Sequence, residues 1–225
     1  MSARAYARLL RLPNVFTAIA DPLAGWFLVR GGLPHWHLAA LLAASACLYT
    51  SGIVFNDCFD YQLDCQERPE RPLPRGDIKL KTAWRLAMTL MIAGLVLAGL
   101  VGPVVLMLAG FLAGMIFFYN AWAKQFTLLG PLALGACRFT NFLIGMRCTP
   151  PRLWIAPAIL GVYVAVLTFI ARREVIEPGT RVIVKRMLLG IIVLDAVLTG
   201  NMTHGLIVLS LLIPAAILGK LLPMT

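Results

Sequence analysis

Asn56, Asp57, Asp60 and Asp64 lie in the run Asn56-Asp57-Cys58-Phe59-Asp60-Tyr61-Gln62-Leu63-Asp64, at the end of a long apolar stretch. At about 100° per residue, positions i, i+3 and i+7 put the three carboxylates on one helix face, with Asn56 completing an arc of about 100°. Like charges this close repel one another and need a cation, and a few hard oxygen ligands suit Mg²⁺ held jointly with the phosphates of a substrate. The competing reading is a solvated acidic helix end neutralised by the arginines that follow. Placement at the edge of a membrane segment argues for a functional site. Next come Glu67-Arg68-Pro69-Glu70-Arg71-Pro72-Leu73-Pro74-Arg75-Gly76, whose prolines stiffen the loop and whose arginines recur every three or four residues. Arg68 and Arg71 have the forked donors that phosphate oxygens accept; each also reads as a topology signal on the inner side of a membrane.

The elements that must position these groups are helices in lipid. Of 225 residues, 60% are hydrophobic and only 13% charged, against roughly a quarter charged in a soluble domain. Apolar runs near 15–30, 36–55, 83–101, 103–121, 131–147, 153–171, 184–200 and 203–219 predict an all-α bundle of about eight transmembrane helices. Counting Lys and Arg with the N-terminus inside puts sixteen in inner segments and three, Arg30, Arg147 and Arg152, in outer ones. That asymmetry orients the N-terminus and both long loops, near 56–82 and 172–183, to the cytoplasm. The loops follow the second and sixth helices, so the chain reads as two four-helix units within a single domain, 1–225, a layout that often places a ligand between the halves. The net charge of +10 is distributed as these flanks, so no nucleic-acid partner is expected. The basic N-terminal stretch reads as the flank of a retained first helix rather than a signal peptide. Five cysteines without metal-ligand spacing predict neither a disulfide framework nor a zinc site.

Polar residues inside the apolar runs are a second set of candidates. Arg138 is costly in a membrane unless it faces a polar cavity or a partner, and Asn141 stands one turn on. The readings are a ligand site or an ion pair with Asp21. Asp21 precedes Pro22, where a carboxylate at a local kink is the simpler account. Asp195 could serve a neighbouring helix, and His204 is expected in a solvated outer turn.

The acidic run matches NDxxDxxxD of the UbiA prenyltransferase superfamily, and RPERPLPRG resembles the RPxRPLPSG segment that follows it there. Through NDCFDYQLDCQERPERPLPRG, FYNAWAKQFTLLGPLALGACRFTNFLIGM and FIARREV, the chain is most similar to the EboC-like branch, over about residues 8 to 220. The resemblance implies a Mg²⁺-dependent membrane enzyme that ionises an isoprenyl diphosphate to an allylic cation captured by a small acceptor, aromatic or otherwise nucleophilic. It implies metal ligation by Asp57, Asp60 and Asp64, and stabilisation of the leaving diphosphate by Lys124 and Arg138. Substrate contacts are expected from Tyr119 and Lys124 in YNAWAK, from Asn14 near the start of the first helix, and from Asn56, Arg68, Arg71 and Asn141. Where the family has a second Asp-rich motif this chain departs from it and reads ARREVIEPGTR, with only Glu174 and Glu177 acidic; at i, i+3 these would take a second Mg²⁺, or Arg172 and Arg173 beside them would meet phosphate directly instead. The chain is shorter than most family members, with eight predicted spans where nine are usual.

Two function classes follow. The first is a prenyltransferase in the cell (inner) membrane of a bacterium, with no general base among the candidates. The second is a transporter or carrier of a prenylated or phosphorylated metabolite on the same scaffold. A CDP-alcohol phosphotransferase would require DxxDGxxAR, which is absent. Acceptor, chain length and oligomeric state are not encoded in these patterns.

Overall fold

The computed structural model describes residues 3–30, 36–147, 151–172 and 180–222. Helices are α1 (Ala3–Leu9), α2 (Leu12–Arg30), α3 (Trp36–Phe59), α4 (Tyr61–Glu67), α5 (Leu80–Val101), α6 (Pro103–Ala121), α7 (Leu129–Met146), α8 (Ile155–Ala171), α9 (Thr180–Leu198), α10 (Met202–Leu209) and α11 (Leu212–Leu221). Each predicted apolar run is helical. Six helical stretches, Leu12–Val29, Trp36–Phe59, Leu80–Val101, Pro103–Ala121, Leu129–Met146 and Met202–Leu221, are long and apolar enough to cross a bilayer, and Ile155–Ala171 is a shorter apolar helix. The predicted seventh span is α9, which also carries Lys185, Arg186 and Asp195. The predicted eighth span is split between α10 and α11. Pro214, in the first turn of α11, has no N–H for the Ser210 carbonyl and crowds it, which separates the two pieces.

Burial orders the bundle. In α2 and α7, 67% and 72% of the span is buried, against 28% in α5 and in α6. The first and fifth runs are therefore the axis, and α5 and α6 face outward through Ile92, Val96, Leu100, Met107 and Phe111, an apolar surface that only lipid or another chain would cover. Beside Lys124, Phe118, Trp122 and Phe126 pack in a row, tilted and edge-on, with centroids 5.4 and 4.7 Å apart, the aromatic type that is enriched at the membrane interface. The two four-helix units interlock, because α2 packs on α7, α9 and α11 as well as on α3.

Without a hydrophobic drive between helices in lipid, close packing and interhelical hydrogen bonds hold the bundle. Ser45 Oγ donates to the Ala18 carbonyl (2.9 Å) and Ser51 Oγ to that of Ala87 (2.7 Å), tying α3 to α2 and α5. Pro22 would leave the Ala18 carbonyl without its helical donor; Ser45 and Asn141 Nδ2 (2.8 Å) supply it instead. His204, expected in a solvated turn, stacks on Phe27 with centroids 4.4 Å apart, because α10 folds back against α2.

At the α2/α7 crossing, a Cβ on Gly145 would overlap the Pro22 carbonyl, and one on Gly25 the Phe142 carbonyl. Both obstacles are backbone, so neither yields by a rotamer change. Gly145→Ala is expected to lower stability by about 1–3 kcal/mol, measured as a lower Tm of the purified protein in detergent, whereas Gly114→Ala, which meets nothing within 4 Å, should leave it unchanged.

Candidate active site

The acidic run sits where α3 passes into α4. Asp60 breaks the regular geometry at φ −87°, ψ 4°, yet i to i+4 bonding continues across it, from Asp60 N to the Asn56 carbonyl (3.0 Å) and from Asp64 N to that of Asp60 (2.8 Å). The run is thus a bent helix, and its three carboxylates do not share one side as the spacing predicts, because the bend at Asp60 separates that residue from Asp57 and Asp64. Asp57 and Asp64 point to one partner: Arg71 Nη1 lies 3.5 Å from Asp57 Oδ1 and 2.6 Å from Asp64 Oδ2. Asp57 also accepts from Arg11 Nη2 at 2.8 Å. Asp60 turns to the other side, accepting from Lys124 Nζ (2.6 Å) and Asn56 Nδ2 (3.1 Å).

Three carboxylates are therefore matched by three cations drawn from three segments: the α1/α2 junction, the loop after α4 and the short 3-10 turn Ala123–Gln125. Asp57 and Asp64 are only 5% and 4% exposed, so these pairs are worth more than solvated ones, and removing either partner strands a buried charge. Because Asp60 turns to Lys124 while Asp57 and Asp64 share Arg71, no three His, Cys, Asp or Glu side chains converge on a common centre among the described residues. The donor chemistry suits Mg²⁺: carboxylate oxygens flanked by cations that can pass to phosphate.

The remaining candidates divide. Asn14 is buried in the first turn of α2, where its N–H donates to the Arg11 carbonyl at 2.9 Å. Tyr119 is half-buried within electrostatic reach of Asp60, Arg11 and Arg172. Arg172 does not present its guanidinium freely; it donates to the Phe126 carbonyl (2.8 Å) and to that of Lys124, packed over Gly130 where a Cβ would overlap it. It braces the segment that carries Lys124. Arg68 caps α4 through its backbone N–H on the Asp64 carbonyl and makes no side-chain ion pair among the described residues. Arg173, Glu174 and Glu177 lie outside the described residues. The hydrogen bond of Tyr61 with Cys65 raises its phenol above the ordinary range.

Arg138 and Asn141, expected at the diphosphate, are not brought to the acidic run. Arg138 lies nine residues into α7, about 13 Å along the helix, and gives Nη1 to both Asp21 oxygens at 3.1 Å and to the Thr17 carbonyl at 2.7 Å. Its Nη2 donates to Thr17 Oγ1 at 2.9 Å, and Asn141 Nδ2 donates to Asp21 Oδ2 at 2.7 Å. Of the two sequence readings, the ion pair with Asp21 is the one that forms, because the deep position leaves the guanidinium no nearer carboxylate. Conversely, Arg11 was legible only as a basic flank. Its φ of +44°, a conformation costing about 1–2 kcal/mol in a non-glycine residue, turns the chain between α1 and α2 and carries the side chain onto Asp57.

Fold and site define an integral membrane helical bundle with a charge-paired acidic motif at one end. Residues 19–172 match the model of the UbiA prenyltransferase family, and the chain belongs to that family. It is similar to the digeranylgeranylglyceryl phosphate synthases of Ignicoccus hospitalis, 31% identical over 65% of this chain and 48% of that protein, and of Methanothrix thermoacetophila, 29% over 75% and 62%. The matched stretch thus spans about half to three-fifths of those relatives. Among solved structures, a UbiA homolog from Archaeoglobus fulgidus bound to GPP and Mg²⁺ shares the fold, with a TM-score of 0.66 at 13% identity over 96% of this chain and 86% of that one. A structure of digeranylgeranylglyceryl phosphate synthase gives 0.68 at 20% identity over 96% and 87%. Family members thus include proteins that bind a divalent metal with an isoprenyl diphosphate.

Proposed function

We propose that this chain is a prenyltransferase that moves an isoprenyl group from its diphosphate to a membrane-borne acceptor of glyceryl phosphate type. The observation that carries the reading is the matched set of Asp57, Asp60 and Asp64 with Arg11, Arg71 and Lys124. Asp57, Asp60 and Asp64 would hold Mg²⁺, which when bound stabilises negative charge growing on the leaving diphosphate. Arg11, Arg71 and Lys124, relieved of their carboxylates, donate to the phosphate oxygens. Arg172 keeps Lys124 in place through the carbonyls of its segment. The C–O bond to diphosphate breaks with its electrons on the leaving group, and the acceptor hydroxyl oxygen forms the new C–O bond and sheds its proton to solvent or diphosphate. No side chain of the described site is set to remove that proton, which fits a reaction whose hard step is ionisation.

The relatives' name describes a product with prenyl chains on glyceryl phosphate, which supports this acceptor class over the aromatic one. The relatives named are synthases of that kind rather than EboC-like proteins, and they are archaeal, so a bacterial inner membrane has no support from them. The single domain and a cytoplasmic N-terminus rest on the sequence pattern. The test is binding and turnover of labelled isoprenyl diphosphates of graded length by the purified protein in lipid, with and without Mg²⁺, supplied with prenylated glyceryl phosphate or an aromatic acid. Mg²⁺-dependent transfer to the first acceptor is expected. Binding without transfer to either would favour the carrier, and absence of binding would remove the diphosphate site altogether.

A further inference from the structure

Deep in the bundle, about 12 Å below Asp57 by the helical rise from Tyr49, a second charged cluster joins α2, α7 and α9. Asp21 and Asp195 are both 0% exposed. Asp21 is partnered and keeps acceptor capacity: Arg138 Nη1 lies 3.1 Å from each of its oxygens and Asn141 Nδ2 2.7 Å from one, three contacts on about four lone-pair sites. Asp195 differs. Neither of its oxygens accepts a hydrogen bond from any donor among the described residues, and the group its carboxyl meets is the carboxyl of Asp21. Asn141 Oδ1, buried beside them, also has no donor.

Two acceptors cannot bond to each other without something positive between them. The charge count gives the same answer: two carboxylates face one guanidinium, which lies over the Tyr49 ring at 5.1 Å. Among the described residues, the charges that act on Asp195 are those of Asp21 and Arg138. An uncompensated carboxylate sealed inside helices costs several kcal/mol. One positive charge is missing. A divalent ion would overshoot it, and oxygen donors alone suit a hard cation.

We propose that the space between Asp21 and Asp195 binds one small monovalent cation, H⁺ or Na⁺, which supplies the missing charge and fastens α9 to the α2/α7 axis. The site is separate from the acidic run and independent of the transferase reading. Its lock acts on α2, the helix that joins both halves of the bundle.

The experiment is thermal unfolding of the full chain in lipid nanodiscs, titrated with Na⁺ at constant ionic strength against N-methylglucamine, and with pH in Na⁺-free buffer. The native chain is compared with Asp195→Asn, whose amide can donate to Asp21 without any cation. If Na⁺ is the occupant, Tm of the native chain rises saturably by on the order of 5 °C, and the variant does not respond. If H⁺ is the occupant, Na⁺ has no effect, the native chain loses stability as pH rises while the variant does not, and infrared spectra show a protonated-carboxyl band absent from Asp195→Asn. Equal responses of both chains in both titrations, with no Asp195-dependent band, would overturn the proposal. Equilibrium binding of radioactive Na⁺ and the infrared band are also read on the native chain, so a variant that fails to fold leaves the question decidable: neither bound Na⁺ nor a protonated carboxyl would overturn it.

Discussion

Asp57→Asn is expected to reduce Mg²⁺-dependent prenyl transfer by on the order of 10²–10³-fold, the loss seen when one preorganised group that stabilises developing charge is removed. The same substitution should strengthen binding of inorganic diphosphate in the absence of Mg²⁺. Asp57 occupies Arg11 at 2.8 Å and shares Arg71 at 3.5 Å, so the neutral amide frees one guanidinium and loosens the second for phosphate oxygens. In the native chain each partner is already satisfied internally. Metal alone must compete with three cations for the carboxylates, and diphosphate alone must compete with three carboxylates for the cations. Bound together they exchange partners, and neither set is left unpaired. Calorimetric titration of native protein should therefore show Mg²⁺ and diphosphate each raising the other's affinity by the same factor, and Asp57→Asn, which leaves the Asp64–Arg71 and Asp60–Lys124 pairs in place, should reduce that coupling. Opposite signs for the Mg²⁺-dependent and Mg²⁺-free arms are what a general loss of folding would not produce. Equal weakening of both arms would show that Arg11 and Arg71 hold the motif together without contacting phosphate.

The largest effect on stability is expected at Arg138. Arg138→Met keeps much of the apolar volume but removes the cation from Asp21 and the donors from Thr17, leaving two carboxyls that are 0% exposed. Breaking a buried pair from one side costs about 3–5 kcal/mol, and denaturant unfolding in detergent micelles should record a loss of that size. Adding Asp21→Asn to the same chain removes the stranded carboxylate and should recover a large part of it, since replacing both members of a buried pair is often close to neutral. Had Arg138 served the diphosphate, Arg138→Met would depress turnover with little change in stability and Asp21→Asn would not rescue it. Retained stability with lost turnover would return Arg138 to the active site.

These two sites differ in how far they could be read from the chain. Spacing of Asp57, Asp60 and Asp64 is local geometry, and backbone bonding through the bend at Asp60 keeps the helical path, although Asp60 itself turns to Lys124 while Asp57 and Asp64 share Arg71. Apolar runs of about 20 residues are equally local, since a membrane span satisfies its backbone within itself, and all eight appear as helices, one of them divided at Ser210 and Leu211, ahead of Pro214. Even the kink at Pro22 was legible, because proline removes a known donor.

Partners are another matter. Arg11 reaches Asp57 across 46 residues, Lys124 reaches Asp60 across 64 and Arg138 reaches Asp21 across 117. Sequence patterning identifies a basic residue in a flank or a costly one in a span, and the energetic rule says only that each must find a partner. Arg138 and Lys124 carried the same expectation of phosphate, yet depth along α7 gives one to Asp21 while the turn after α6 delivers the other to Asp60. The sequence by itself determined the membrane bundle, the acidic run at its edge and the need for compensating charge, because these follow from composition and helical period. Only tertiary structure decided which cation compensates which carboxylate, and that among the described residues no donor reaches Asp195, because charges in a bundle are matched by packing across helices rather than by order along the chain.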